Sequence, residues 1–236
     1  MVVSLLLDAG ADASKLTDSG ETVLHLYFKG RSRDVVDALV RHGADVNAVV
    51  TSGEHAGATT LLLMVKSMNL HEDVLIKVFE YSPDLQQREE NSDSLVHLSS
   101  RQSKHLFTNK VLKKLLELGV DVNARNKLGQ TPILHCLPAY TQILVNAGTL
   151  EQLQTVMKLG VSPKSRNHQR QNALWYVVGT LYFQRRDEVL DCLLDSAQGI
   201  DVDEADNSGI RPLHVAASHS DYHVIRLLRV GLAHGT

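Results

Sequence analysis

Residues Val111 to His135 read VLKKLLELGVDVNARNKLGQTPILH, and the punctuation of this stretch decides the fold. Val111, Leu112, Leu115, Leu116 and Leu118 fall at the three-and-four spacing of a helix with one buried face. Gly119 follows at once. Lacking a Cβ, it takes up the positive φ of a left-handed cap without steric cost, which predicts the end of the helix there. From Asp121 to Gly129 the text is polar and turn-forming, with Asn123, Asn126 and Gly129 as its turn residues. Thr131 and Pro132 then restart a helix, the first as an N-cap hydroxyl and the second at the first helical position, where a missing N–H costs nothing. The stretch predicts helix, finger-like hairpin, helix.

The same signals recur, and self-similarity at a fixed period outranks any local reading. A glycine followed by an apolar residue and aspartate appears as Gly10-Ala-Asp12, Gly43-Ala-Asp45 and Gly119-Val-Asp121, with shorter or looser copies at Gly160-Val161 and Gly199-Ile-Asp201. The restarting signal recurs at Thr22 to His25, Thr59 to Leu61, Ser94 to His97, Thr131-Pro132 and Arg211 to His214. From Thr22 to Thr59 to Ser94 to Thr131 the steps are 37, 35 and 37 residues. The pattern resembles the ankyrin-repeat family, whose units run to about 33 residues around a Thr-Pro-Leu-His signature. The copies here are a few residues longer, most simply in loops. The resemblance implies an all-α solenoid of helix-turn-helix units joined by hairpin fingers. It also implies that Thr22, His25, His97, Thr131, Pro132, Pro212 and His214 are structural, the histidine imidazole bonding neighbouring backbone to tie one repeat to the next.

Composition agrees with this class and argues against others. Apolar residues make up 43% of the 236, enough for a packed core, and 22% charged residues with a net charge of −3 make no electrostatic case for nucleic acid or membrane. Cys136 and Cys192 lack metal-ligand spacing and point to reduced thiols in a cytoplasmic or nuclear protein. Val2 to Leu7 is too short to span a bilayer, and no basic leader precedes it.

Taken in order, residues 1–16 form a partial repeat, a second helix lacking its first, with one apolar face uncovered. The expectation is a fragment of a longer array, marginal in solution by itself. Repeats then run over 17–48, 49–86, 87–124, 125–163, 164–203 and 204–236, the last incomplete at its C-terminal end. The first is the best copy. The second carries Leu62 where the histidine would stand, and its second helix, Val74 to Tyr81, ends at Ser82-Pro83 in place of glycine. The fourth has Leu134 at the histidine position, His135 one residue late and Pro138 soon after, so its first helix is short or kinked. The fifth has drifted furthest, with Asn172 for threonine, Ala173 for proline and Trp175 for histidine.

Nothing in the text carries catalysis, and neither cofactor nor metal nor small-molecule substrate is expected. There is no Gly-rich phosphate loop, no nucleophile elbow and no paired Cys-x-x-Cys. His219 and His223 are four apart but lack a third ligand. What remains is binding to a protein partner through hairpin tips and the concave face of first helices. Glu89 and Glu90 mark one tip as acidic; Arg125 and Lys127, then Lys164, Arg166, His168 and Arg170, mark the next two as basic; Asp203, Glu204 and Asp206 close the row. Two basic tips between acidic ones would steer a partner with an acidic stripe. Trp175 and Tyr176 are further candidates for a partner contact, although Trp175 could equally fill the gap left by the histidine. The fold class alone leaves open a scaffold, the regulatory array of a larger enzyme such as a kinase or nucleotide-hydrolysing switch, a ubiquitin-ligase adaptor, and a drifting array with no selected partner.

Overall fold

The computed structural model describes residues 2–27, 30–67, 71–89, 91–101, 109–135, 137, 153–154, 157–179, 186–195 and 199–218. The chain divides into two compact units, residues 1–87 and 88–236. Every named element among the described residues is a helix. The only extended pairings there are two isolated antiparallel bridges, Val49 with Thr59 and Arg88 with Ser94.

In the first unit, helices Val2–Asp8, Arg33–Arg41 and Glu72–Phe79 pack side by side, the middle one touching both others. Two shorter helices, Val23–Leu26 and Thr60–Lys66, pack on each other and each on the second helix of its own unit. Arg33–Arg41 shows why such a helix forms. Val35, Val36 and Leu39 are buried on one side while Arg33, Asp34 and Arg41 face water, and Asp34 in the first turn and Arg41 in the last complement the helix dipole. Thr60–Lys66 is buried all round from Thr60 to Val65, as befits a helix enclosed by its neighbours. Asp37 ties Arg33–Arg41 to Glu72–Phe79. It bonds Arg41 at 2.6 Å and Lys77 at 2.9 Å and accepts the Tyr81 hydroxyl; the Tyr81 and Lys77 bonds hold its carboxyl below the usual aspartate range.

The second unit contains helices Leu95–Arg101, Asn109–Glu117, Ala173–Val178, Arg186–Asp195 and Pro212–Ser218, with further helical turns at 132–135 and 157–158. Ala173–Val178 packs on both Arg186–Asp195 and Pro212–Ser218. Leu112, Leu115, Leu134, Leu174, Leu190 and Leu193 are among its fully buried side chains. Asn109–Glu117 buries Val111, Leu112 and Leu115; Leu116 is half-buried and Leu118 exposed, because the helix ends at Glu117 and Leu118 already lies in the turn.

Val2–Asp8, Arg33–Arg41 and Asn109–Glu117 each end in a left-handed glycine, and Glu72–Phe79 ends in the same torsion without one. At Gly119 (φ 78°) the N–H bonds Leu116 O at 2.9 Å, and Val120 N–H bonds Leu115 O at 3.0 Å, the paired bonds of a left-handed glycine cap. Glu72–Phe79 ends earlier than Tyr81, and it is not proline that stops it. Ser82 takes the left-handed conformation itself (φ 50°), with its N–H 3.4 Å from Phe79 O, while Pro83 has no N–H with which to make the second bond.

Val2–Asp8 has Leu7 buried and leaves Val2 71%, Leu5 67% and Leu6 57% exposed. Cys136, Pro138, Glu90, His219 and His223 lie outside the described residues. No described helix is long and apolar enough to cross a membrane.

Candidate functional site

The signature positions form the frame on which the surface is hung. Thr22 Oγ1 accepts the N–H of His25 at 3.3 Å, and His25 Nδ1 accepts the N–H of Thr22 at 3.0 Å, a capping box in which imidazole does the work usually given to Glu or Gln. His97 Nδ1 likewise accepts the N–H of Ser94 at 3.2 Å, with Ser94 Oγ 2.8 Å from the same nitrogen, and His97 Nε2 donates to Gln130 O in the next finger at 2.9 Å. Burial lowers the pKa of both histidines, opposed at His97 by the Gln130 carbonyl and Asp93. His25 Nε2 faces the carbonyls of Ala48 and Ala58, which oppose the lowering there, but reaches no hydrogen bond of ordinary geometry. His214 Nδ1 accepts from Arg211 N–H at 3.1 Å, and its ring is exposed.

Where the signature is lost, other atoms make the tie. Thr59, with Leu62 in the histidine's place, accepts Leu62 N–H at 3.4 Å and donates to Gln87 Oε1 at 2.8 Å. Asn172 accepts Leu174 and Trp175 N–H at 3.1 and 3.3 Å and donates through Nδ2 to Asp201 O at 3.0 Å. One amide thus does the work of a threonine and a histidine together. Thr131 departs from its expected part: although Pro132 follows it into the helical turn, its buried hydroxyl has no hydrogen-bond partner, so it caps nothing among the described residues.

Three fingers of the second unit share one construction. Asn126, Asn167 and Asp206 each bond, through the backbone N–H, the carbonyl four residues on, at 3.0, 3.0 and 2.8 Å. Their side-chain oxygens accept N–H groups two and four residues on, all within 2.8–3.0 Å. Asn126 reaches further, giving an N–H of its amide to buried Asp93 at 2.8 Å. The tips are then laced together. Lys127 N–H bonds Asn91 O at 2.8 Å, His168 N–H bonds Leu128 O at 3.0 Å, and Asn207 N–H bonds Gln169 O at 3.0 Å. Outward from this lacing stand Lys127, Leu128, His168 and Gln169, all exposed, Leu128 by 57%.

The basic residues picked out by sequence fall into two sets. Lys127 and Lys164 are exposed and form no ion pair among the described residues. Arg125 is exposed, and its guanidinium bonds Gly129 O at 3.0 Å and also the carbonyl of Arg166. Arg166 Nε lies 2.7 Å from Glu204 Oε1, and an Arg170 terminal nitrogen lies 3.7 Å from the same oxygen. Glu204 is buried, in the place held by buried Ala124 two fingers earlier, so it is a counter-ion beneath the surface, not part of an acidic tip. Asp203 is likewise engaged, with Arg211 at 2.6 Å, and Asp206 bonds its own turn. Lining up the fingers residue by residue would have found Glu204 as an acid at an alanine position; a count of charges per tip passes over it.

Of the aromatic pair, Tyr176 is held inside the frame, its hydroxyl accepting from Gln130 at 2.8 Å and Asn167 at 3.0 Å. Trp175 is half-buried, with Nε1 buried and lacking an acceptor among the described residues. No three potential metal ligands come together among those residues.

Helix pairs joined by hairpin fingers, capped and cross-tied at a fixed period, define an all-α solenoid of the helical-repeat class. Two stretches of the chain carry the ankyrin repeat. The ankyrin-repeat family model matches residues 19–50, and the model for many-copy ankyrin repeats matches residues 181–229. Ankyrin repeat and SOCS box protein 6 of Pongo abelii is 26% identical over 130 residues, 55% of this chain and 28% of that protein, so the matched stretch spans well under half of the relative's length. The ankyrin repeat domain of Bcl-3, a member of the IκB family, superposes with a TM-score of 0.71 at 22% identity, covering 97% of this chain and 90% of that one. Human ASB11 gives 0.69 at 19% identity, covering 96% and 90%. An ankyrin repeat domain from Acinetobacter baumannii gives 0.69 at 21%, covering 88% and 96%.

Proposed function

We propose that this chain is a non-catalytic binding array that takes a protein partner on the finger tips and adjoining first-helix face of its second unit, with the six repeats bounded as the sequence reading divides them. Ankyrin repeats are in general protein–protein interaction modules. The observation that carries the reading further is the lacing of the tips. Backbone bonds from Asn91 through Lys127, Leu128 and His168 to Asn207 hold these exposed side chains in fixed order, so a partner meets a surface that is already organised. Lys127 and Lys164 stand without counter-ions among the described residues and give that surface its steering charge, suited to an acidic stripe on the partner. Its place is the cytoplasm or nucleus.

The test is cross-linking of the chain in cell extract beside a Lys127→Glu/Lys164→Glu variant. Capture of a defined protein that falls about tenfold in the variant, and falls also with rising salt, supports the reading. Capture by neither, or equal capture by both at every salt concentration, argues against it. Charge reversal at Arg166 or Arg170 would confound the result, since it sets a second acid beside buried Glu204. A second reading, the substrate-recognition array of a ubiquitin-ligase adaptor whose active part lies elsewhere, is favoured by the likeness to Ankyrin repeat and SOCS box protein 6. Co-capture of ligase subunits by the natural full-length protein would distinguish it.

A further inference from the structure

We infer that the second unit holds a site for a phosphate monoester, borne on a segment of the partner protein, at the guanidinium groups of Arg125, Arg166 and Arg170. The inference rests on the binding-array reading and names what that surface would recognise. Arg88, Arg125 and Arg166 occupy one position in three fingers, each four residues before the left-handed residue of its finger, Ser92, Gly129 or Arg170. Arg88 and Arg125 use one terminal nitrogen on the carbonyl of that residue, at 3.3 and 3.0 Å. Arg166 breaks the pattern by turning to Glu204, and Arg170 adds a second guanidinium to the same carboxylate oxygen. Arg125 lies against the same finger through its bond to the Arg166 carbonyl. Two guanidiniums face one carboxylate and a third lies on the same finger. The stretches 125–130 and 164–171 contain no Asp or Glu, and Asp206 of the adjoining finger bonds its own turn, so the three arginines exceed Glu204 by two positive charges.

The donors left over decide the ligand. Arg166 has spent Nε on Glu204, and Arg125 has spent one terminal nitrogen on two carbonyls. Their remaining N–H groups, and those of Arg170, have no partner among the described residues. A planar carboxylate is best served by one intact guanidinium fork, whereas single donors from separate residues suit a tetrahedral anion with three acceptor oxygens. A phosphate monoester supplies those oxygens and carries about −1.5 to −2 charge at neutral pH, close to the charge left over. Arg170 adds an independent sign. It keeps a left-handed backbone (φ 64°) where the corresponding residues are Gly20, Gly57, Gly129 and Gly209 in four fingers and the small Ser92 in another, and backbone strain at so long a side chain persists where that side chain is needed.

The test uses the whole chain, titrated with inorganic phosphate and O-phosphoserine against acetate and glutamate at constant ionic strength, followed by thermal midpoint and by the NMR signals of arginine Nε–H. Saturable midpoint rises and shifted Arg166 and Arg170 signals with the two phosphates alone support the site. Arg170→Gly removes one guanidinium while installing the residue other fingers carry. It should raise the midpoint of the ligand-free chain yet weaken O-phosphoserine about tenfold, as the loss of one charge-assisted hydrogen bond does, and Arg125→Gln should weaken it similarly. An equal response to glutamate, no response to either phosphate, or affinity untouched in both variants overturns the site. A protein captured by the unaltered chain and retained undiminished by both variants would keep the binding-array reading while removing the phosphate site.

Discussion

Ser82, Ser92 and Arg170 hold φ of 50°, 60° and 64°, the conformation that glycine holds at the corresponding places in other repeats. For an L-residue this costs about 1–2 kcal/mol, of which glycine's looser unfolded chain takes back about half. Ser82→Gly and Ser92→Gly should therefore each stabilise the chain by about 0.5–1 kcal/mol in a urea melt; a loss of stability would show that the side chain earns its place. Asn172 is the opposite case. Asn172→Ala removes a cap worth about 1 kcal/mol and leaves the Asp201 carbonyl without its donor, so a loss of about 2 kcal/mol is expected in the same melt. Trp175→Phe should cost less than Trp175→Ala, because it keeps an aromatic ring in the half-buried site, and the indole N–H that both discard has no acceptor among the described residues. These positions looked worn in the sequence because residue types had changed while backbone torsions and hydrogen-bond roles had not. A one-letter text shows the first and hides the second.

At the scale of elements, the capping histidines couple helix starts to pH. Nδ1 of His25 and of His97 accepts a backbone N–H, and a protonated ring cannot accept it. Burial holds both folded pKa values below the ordinary 6.5, so the unfolded chain takes up protons first. Their contribution is complete above about pH 6.5 and is lost as the pH falls from there through the folded values, at up to about 1.4 kcal/mol per pH unit per histidine. Chemical melts between pH 7.5 and 5 should show this slope, and His25→Leu, which copies the natural Leu62, should remove its share; a flat profile would contradict the assigned roles. Most elements were legible beforehand. Apolar spacing and the glycine cap placed Asn109–Glu117, whose last residue lies just before Gly119. The tie from His97 to the next finger follows the expectation for the signature histidine, whereas the ties made by Thr59 and Asn172 escaped, because the partner of each lies about 30 residues away and is an ordinary amide or carbonyl.

At the scale of the molecule, the fold class was plain from the period, whereas the surface was not, since charge per tip says nothing of what lies underneath it. Leu5 and Leu6 of the first helix face water, a pair more usual at a contact than on an open surface. Leu5→Lys/Leu6→Lys should abolish any concentration-dependent association seen by light scattering and leave the melting midpoint within a degree or two, as neither side chain is buried; a large drop in the midpoint would mean the face is covered in solution. Glu204 carries the longer consequence. It fixes the bearing of two exposed arginines while remaining out of reach of anything that docks on them. A lineage that exchanged this acid for the alanine that stands at 124 would loosen both cations and add one unit of positive charge to the face. Its choice of partner would then be retuned with every outward-facing letter unchanged, and a comparison of surfaces alone would record no difference between the two proteins.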